Sequence, residues 1–165
     1  MSELSIKEIV GENELRESAR VVRIAFKTVA LELNLTRENS PTHPSFITTG
    51  RLREDRGKGV RFSGLFLGDM QIGFIAVEKD NTNLYYVERL AVLPEYRHRG
   101  YGAQLMQFAF EYIKTNGGKK VSIGIINEQT ILKNWYKGLG FVEVSTREFT
   151  HLPFTVCFME KAISS

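Results

Sequence analysis

The stretch Arg97-His98-Arg99-Gly100-Tyr101-Gly102 decides the reading of this chain. An apolar alternating run, residues 84–92, precedes it and stops at Pro94. A run with helical spacing follows it, presenting Leu105, Phe108, Ala109, Tyr112 and Ile113. A loop that enters a helix leaves its first backbone N–H groups without intrahelical partners. The helix dipole adds positive potential at the same place. Glycines at 100 and 102 let an anion approach the backbone closely, and Arg97 and Arg99 add charge. The ligand this predicts is a phosphate or pyrophosphate. Two common phosphate loops do not match. The Gly-Lys-Ser/Thr ending of one is missing, and the dinucleotide fingerprint needs three glycines after the first strand of its unit.

Working outward, the chain reads as β-α-α-β-β-β-α-β-α-β-β. Residues 3–10 alternate as a first strand, and residues 12–33 carry helical spacing from Leu15 to Leu33. A turn-rich segment with Pro41 and Pro44 leads to a short helix, residues 45–56, ended by Gly57 and Gly59. Strands follow at 60–67, 71–79 and 84–92, divided by Gly68-Asp69 and Asp80-Asn81-Thr82-Asn83. Then come the helix at 100–115, a strand at 119–126, a helix at 127–139 capped by Gly140, and a closing pair at 141–150 and 154–161. Strand, helix and strand between 84 and 126 form a right-handed crossover with parallel strands. The flanking hairpins are antiparallel, so the class is α/β with a mixed sheet. The length suits one domain over residues 1–165.

Composition narrows the function. Hydrophobic residues make up 42% and charged residues 25%, which excludes general disorder. No run of 18 uncharged apolar residues exists to cross a membrane. Residues 1–8 lack the apolar core of a signal peptide, and the lone Cys157 allows no internal disulfide, so a cytoplasmic protein is expected. Cys157 lies in an apolar alternating run and reads as a small buried hydrophobe. The 22 basic and 19 acidic residues leave a net charge of +3, enough for an anionic ligand but not a mark of nucleic-acid binding. The basic run at 51–61 is interleaved with Glu54 and Asp55, as a solvated helix face would be. The three histidines have spacings that support no metal site.

With these residues in view, the chain resembles the GNAT superfamily of acyl-CoA-dependent N-acetyltransferases. That family carries Arg/Gln-x-x-Gly-x-Gly/Ala at the start of its third helix, matched by Arg97, Gly100 and Gly102. Residues 88–96 are similar to its fourth strand and exit, and Trp135 to Phe141 to the Tyr-x-x-x-Gly-Phe end of its fourth helix. The resemblance implies a fourth strand that bulges and splays from the fifth, opening a cleft for acetyl-CoA. Backbone N–H groups of Arg99, Gly100, Tyr101, Gly102 and Ala103, with Arg97, would hold the pyrophosphate, and His98 would sit in the same loop facing solvent. Pantetheine would pair with backbone groups of Leu90 and Val92. An amide near Ala91 or Val92 would polarise the thioester carbonyl. Asn127 would reach the pantetheine arm, and Gly124 and Ile125 would border the cleft. Tyr136 would protonate the departing thiolate while contacting the co-substrate. A homodimer is a habit of the family.

The base is read partly from the residues themselves. An acid in an otherwise apolar strand needs a reason, and Glu88 is the first candidate, working through a water. Strict alternation places Glu88 with Tyr86, Leu90 and Val92, and a bulge would break that phase. His43 and His151, each in a loop near proline, compete as bases or as substrate contacts. Tyr86 and Phe154 are further substrate candidates, and an aromatic lining favours an amine on an apolar body. The expectation is an N-acetyltransferase that uses acetyl-CoA and no metal. Its acceptor would be a small-molecule or peptide amine, with no nucleic acid and no membrane as partner. The rival is a CoA-binding sensor or interaction module without turnover.

Overall fold

The computed structural model describes residues 3–164. Its strands are β1 (Leu4–Glu8), β2 (Arg61–Leu67), β3 (Met70–Lys79), β4 (Leu84–Val92), β5 (Lys120–Ile126), β6 (Val142–Glu148) and β7 (Thr155–Ala162). Its helices are α1 (Glu12–Glu32), α2 (Thr49–Gly57), α3 (Tyr101–Thr115) and α4 (Thr130–Gly138), with 3-10 turns at Pro44–Phe46 and Pro94–Tyr96. The strands form one sheet in the order β1-β2-β3-β4-β5-β7-β6. Every pairing is antiparallel except β4 with β5, so the sheet is mixed as expected.

The α1 helix forms because Leu15, Ala19, Val22 and Ala25 recur every three or four residues and bury one stripe. The Glu14 side chain accepts the Gly11 N–H at 3.0 Å, closing the helix start. β3 is buried on both faces from Gln71 to Val77, which places it at the centre of the core. α3 packs against one of these faces. A Cβ on Gly73 would meet Leu105 of α3, and one on Gly118 would meet both Ile113 of α3 and Tyr85 of β4. Tyr85 and Val87 therefore face α3, and Tyr86 and Glu88 face the side of α1.

Most element ends shift by one or two residues from the sequence reading, and the differences in the second helix, the fourth helix and β6 have local reasons. The helix expected at 45–56 splits, because Thr48 is extended and its hydroxyl caps a new start by accepting the Arg51 N–H at 3.1 Å. The helix expected from residue 127 begins at Thr130, because the Asn127 N–H is taken by the Thr155 carbonyl at 2.8 Å. Phe141 and residues 149–150 stay outside β6; the Phe141 N–H instead closes the end of α4 on the Tyr136 carbonyl at 3.2 Å.

The feature that makes the site is the failure of β4 and β5 to stay paired. Only Leu84 with Lys120, Tyr85 with Val121 and Tyr86 with Ser122 are in register. Beyond Tyr86 the two strands diverge. On its other edge β4 carries a bulge, since Ala76 opposes Glu88 while Phe74 opposes Ala91, three steps against two. Arg89 sits in the bulge with φ of 53°, a conformation that costs a non-glycine residue energy. A buried ion pair from Arg89 to Asp55 of α2, 2.9 Å, holds it there, and Arg51 holds Asp55 from the other side at 3.0 Å.

Candidate active site

A cavity of about 960 Å³ occupies the opening between β4 and β5. The start of α3, the diverging parts of β4 and β5, α4, α1 and the loop before α2 all contribute to its wall.

At α3 the wall is main chain. His98 and Gly100 both have positive φ, 63° and 81°, so successive N–H groups turn toward the same side. Gly100 is the residue before the helix, and its carbonyl accepts the Gln104 N–H at 3.1 Å. The N–H groups of Tyr101, Gly102 and Ala103 have no helical partner. Gly102 keeps the approach open beside Trp135, which a Cβ there would reach at 3.4 Å. Arg99 and His98 are both exposed, and of the two only His98 lines the cavity. Arg97 has a structural task as well: its guanidinium donates to the carbonyls of Val92 and Ala25 and to the Thr28 hydroxyl, tying the end of β4 to α1. Three of its five donors are thereby used.

On β4 the backbone itself is free. The Leu93 N–H bonds to the Ile72 carbonyl of the β3 edge at 2.9 Å. Neighbouring residues in a strand turn their polar groups to opposite edges, so Leu90 and Val92 turn theirs to the gap, where the Val92 N–H is open and its carbonyl is taken by Arg97 at 3.3 Å. Leu90, Ala91 and Val92 all line the cavity, as do Gly124 and Ile125 of β5.

The bulge resolves where Glu88 points. Glu88 shares a face with Ala76 and, across the bulge, with Ala91, whereas Val92 opposes Gly73 on the α3 face. Strict alternation, which grouped Glu88 with Leu90 and Val92, fails because the bulge inserts one residue. Glu88 lines the cavity, and burial pushes its carboxyl up to about 7, helped by the negative charge of Glu78 on β3. Tyr86, next on the same face, also lines the cavity and donates its hydroxyl to Asp80 at 3.2 Å.

His43 is 8% exposed, lines the cavity and packs edge-on to Phe26 at 5.7 Å. Burial pushes its pKa down to about 4, so it is neutral at ordinary pH. Its Nδ1 lies 2.7 Å from the Ser45 hydroxyl oxygen and 3.3 Å from the Ser45 amide nitrogen, contacts that fix the ring against the loop. Tyr136 is buried against Trp135 and Phe141, lines the cavity, and has its phenol pKa raised by burial. Phe154 lines the wall near β7.

Three candidates lie outside the cavity wall, the exposed Arg99 among them. Asn127 is not in the cavity wall: its side-chain oxygen accepts from Lys133, and its N–H is bound to Thr155. His151 is exposed, packs on Phe149 at 5.8 Å and does not reach the cavity. Glu78 was missed by the sequence reading. The rule that singled out Glu88, an acid in an apolar strand, applies equally to Glu78 at the end of the run 71–79. Among the described residues no cluster of three metal-ligating side chains occurs, and no helix is long and apolar enough to cross a membrane.

The site is thus a mixed sheet parted between its parallel strands, with a free helix start beside the gap. The family model described as "Acetyltransferase (GNAT) family" matches residues 28–141, well over half of the chain, and the chain belongs to that family. Among curated relatives, the histone acetyltransferase esa-1 of Neurospora crassa is 41% identical over 46 residues, 28% of this chain and 9% of its own length. The tRNA(Met) cytidine acetyltransferase TmcA 2 of Saccharolobus solfataricus is 30% identical over 89 residues, 53% of this chain and 11% of its own. The chain thus spans about a tenth of the length of these relatives. Solved structures share the fold over the whole length. The ribosomal-protein-S18-alanine N-acetyltransferase of Escherichia coli superposes with a TM-score of 0.78 at 15% identity, covering 99% of this chain and 96% of that one. The PaiA N-acetyltransferase of Thermoplasma acidophilum, in complex with coenzyme A, gives 0.76 at 21% identity over 97% and 99%.

Proposed function

We propose that the chain is an N-acetyltransferase that moves an acetyl group from acetyl-CoA to a primary amine, by direct attack with both substrates bound. The observation that carries this reading is the parted β4 edge. One cavity joins its free backbone groups to an unpaired helix start and to a carboxyl, Glu88, held near neutral proton affinity. The residues present fit acetyl-CoA. The N–H groups of Arg99 to Ala103 suit a pyrophosphate, and the backbone of Leu90 and Val92 suits an amide-bearing arm laid along the strand. When bound, acetyl-CoA supplies an acyl group already activated as a thioester.

The protein's own groups then manage two protons. Glu88, directly or through a water, takes one from the acceptor nitrogen, because an amine is mostly ammonium at neutral pH. Tyr136 holds the other on its hydroxyl oxygen and gives it to the departing sulfur. Burial keeps the phenol protonated, so it is a donor and not a base. The Val92 N–H, on the gap edge of β4, would face the carbonyl oxygen, whereas the Ala91 N–H is on the β3 edge. Neutral His43, Tyr86 and Phe154 shape the acceptor chamber, which suits a small-molecule or peptide amine with an apolar body.

The test is thermal unfolding with acetyl-CoA and, as control, NADH, followed by an amine screen read by thiol release. A ligand at 100 times its Kd adds about 2.7 kcal/mol, a shift of several degrees at this size. Stabilisation by acetyl-CoA alone and amine-dependent thiol release are the expected results. No shift with acetyl-CoA overturns the reading.

A further inference from the structure

Glu78 stands next to last in β3 and lines the same cavity as Glu88. The register explains how the two meet. Ala76 opposes Glu88 and Glu78 opposes Tyr86, so the two glutamates are diagonal neighbours on one face, within reach of long side chains. The methyl of Ala76, opposite Glu88, leaves room for the carboxyls to lean together, and the negative charge of Glu78 raises the proton affinity of Glu88. Among the described residues neither forms an ion pair. Arg89, next to Glu88 in the chain, is committed to Asp55 at 2.9 Å. Beside the Glu78 side chain and out of water, Glu88 retains a proton that a lone exposed carboxylate would lose.

We propose that Glu78 and Glu88 act as one proton-accepting pair that binds the acceptor's ammonium group and takes a proton from it. This rests on the acyl-transfer reading above. The step balances simply. The doubly ionised pair meets an ammonium group, one N–H bond breaks, and the proton is held between the two carboxylates. The nitrogen keeps the electron pair and becomes the nucleophile. The proton leaves to solvent after the product departs. Sharing the proton stabilises the state formed by the transfer, so the pair is a stronger base than either carboxylate alone. Other charged or titratable groups around the pair are Tyr86 and Arg89 on β4, Asp55 on α2, Glu32 on α1 and His43 on the loop before α2. His43 is neutral and Arg89 and Asp55 neutralise each other, which leaves Glu78 as the main partner of Glu88.

The test is a carboxyl titration by 13C NMR on protein labelled at the glutamate carboxyls, with Glu88→Gln assigning the signal. It needs no turnover, so its failure is separate from failure of the acyl-transfer reading, which acetyl-CoA binding and thiol release report. Wild-type Glu88 is expected to titrate at about 7. Glu78→Gln should lower that midpoint by about one pH unit or more, because it removes the like charge. Glu78→Asp, which keeps the charge, should hold the midpoint nearer the wild-type value. Propylammonium chloride should lower the wild-type midpoint further than potassium chloride at equal ionic strength. The proposal falls if Glu78→Gln leaves the midpoint unmoved, or if propylammonium does no more than potassium.

Discussion

The wall at the start of α3 works through main-chain groups, whereas the wall over β3, β4 and the loop before α2 works through side chains. At α3 the unpaired N–H groups of Tyr101, Gly102 and Ala103 face a gap that needs only glycine and a helix to exist. Over the strands, Glu78, Glu88, Tyr86 and His43 each owe their chemistry to burial or to a neighbour far away in sequence. The first wall is fixed by local backbone geometry and changes little with pH. The second is assembled by the fold and is tuned by charge. Binding of the donor and proton handling for the acceptor should therefore respond to different substitutions.

The sharpest way to break this division is Glu88→Gln. The amide keeps the shape of the side chain but cannot accept a proton. Removing a general base typically costs about 10²–10⁴ in rate, so amine-dependent thiol release should fall by about that much. The acetyl-CoA Kd, measured by calorimetry, should stay within about twofold, since no charge is added to the α3 wall. A parallel loss of acetyl-CoA affinity would show that the walls are not separable.

Tyr136→Phe comes next and sharpens the comparison from between the walls. The ring keeps its edge contacts to Trp135 and Phe141, at 5.0 and 5.6 Å, so stability should change little. Loss of a proton donor to the leaving sulfur should lower kcat by about 10²-fold, with acetyl-CoA affinity retained. A chain that binds acetyl-CoA without using it would show no change in either quantity that depends on the hydroxyl.

The division also explains what was legible in the sequence. The free helix start could be read because Gly100 and Gly102 directly after a strand mark a backbone turn into a helix by themselves. The order of strands and helices could be read because each period of apolar residues is local. The parting of β4 from β5 came from the resemblance, not from the residues, since nothing in the run Leu84 to Val92 states where pairing stops. The direction of Glu88 depended on a bulge at Arg89, and that bulge depends on an ion pair to Asp55, over thirty residues away. Glu78 matters only once its strand is set beside β4. Asn127 was expected at the cavity, but a tertiary contact with Lys133, on the following helix, takes its side chain. The sequence thus marks which side chains are unusual in their element, as with Glu88 and His43, while what they meet is set by non-local neighbours.

Gly100→Ala should act on the opposite wall. A φ of 81° costs an L-residue about 1–2 kcal/mol, which for this size lowers Tm by a few degrees. The strain is relieved by turning the N–H groups away, and losing one hydrogen bond to a charged group weakens acetyl-CoA binding about tenfold. At saturating acetyl-CoA, kcat should recover to within about twofold, the reverse of the Glu88→Gln pattern. Gly102→Ala is the milder companion. Its Cβ meets Trp135 at 3.4 Å, close to ordinary contact, so affinity should change less than with Gly100→Ala.

The smallest effect isolates the burial of His43. Its folded pKa of about 4 lies below the ordinary value of 6.5, so the unfolded chain binds the extra proton between these values. The stability from keeping His43 neutral is fully present above pH 6.5 and is lost as pH falls toward 4. Glu88 has the opposite sign. Its pKa is raised from 4.5 to about 7, so its contribution is fully present below pH 4.5 and lost as pH rises through 7. The two trends oppose each other in wild type, and only a difference curve separates them. His43→Asn keeps an oxygen that can accept the Ser45 N–H but removes the titration. Relative to wild type, the variant should gain about 1 kcal/mol, or about 2–4 °C in Tm, between pH 7 and pH 4.5, after discounting for the ring's contact with solvent. Parallel Tm curves for the two proteins would mean that His43 protonates freely in the folded state. The chamber would then be wet, and the proton affinity of Glu88 would have to come from its partner carboxylate instead of from burial.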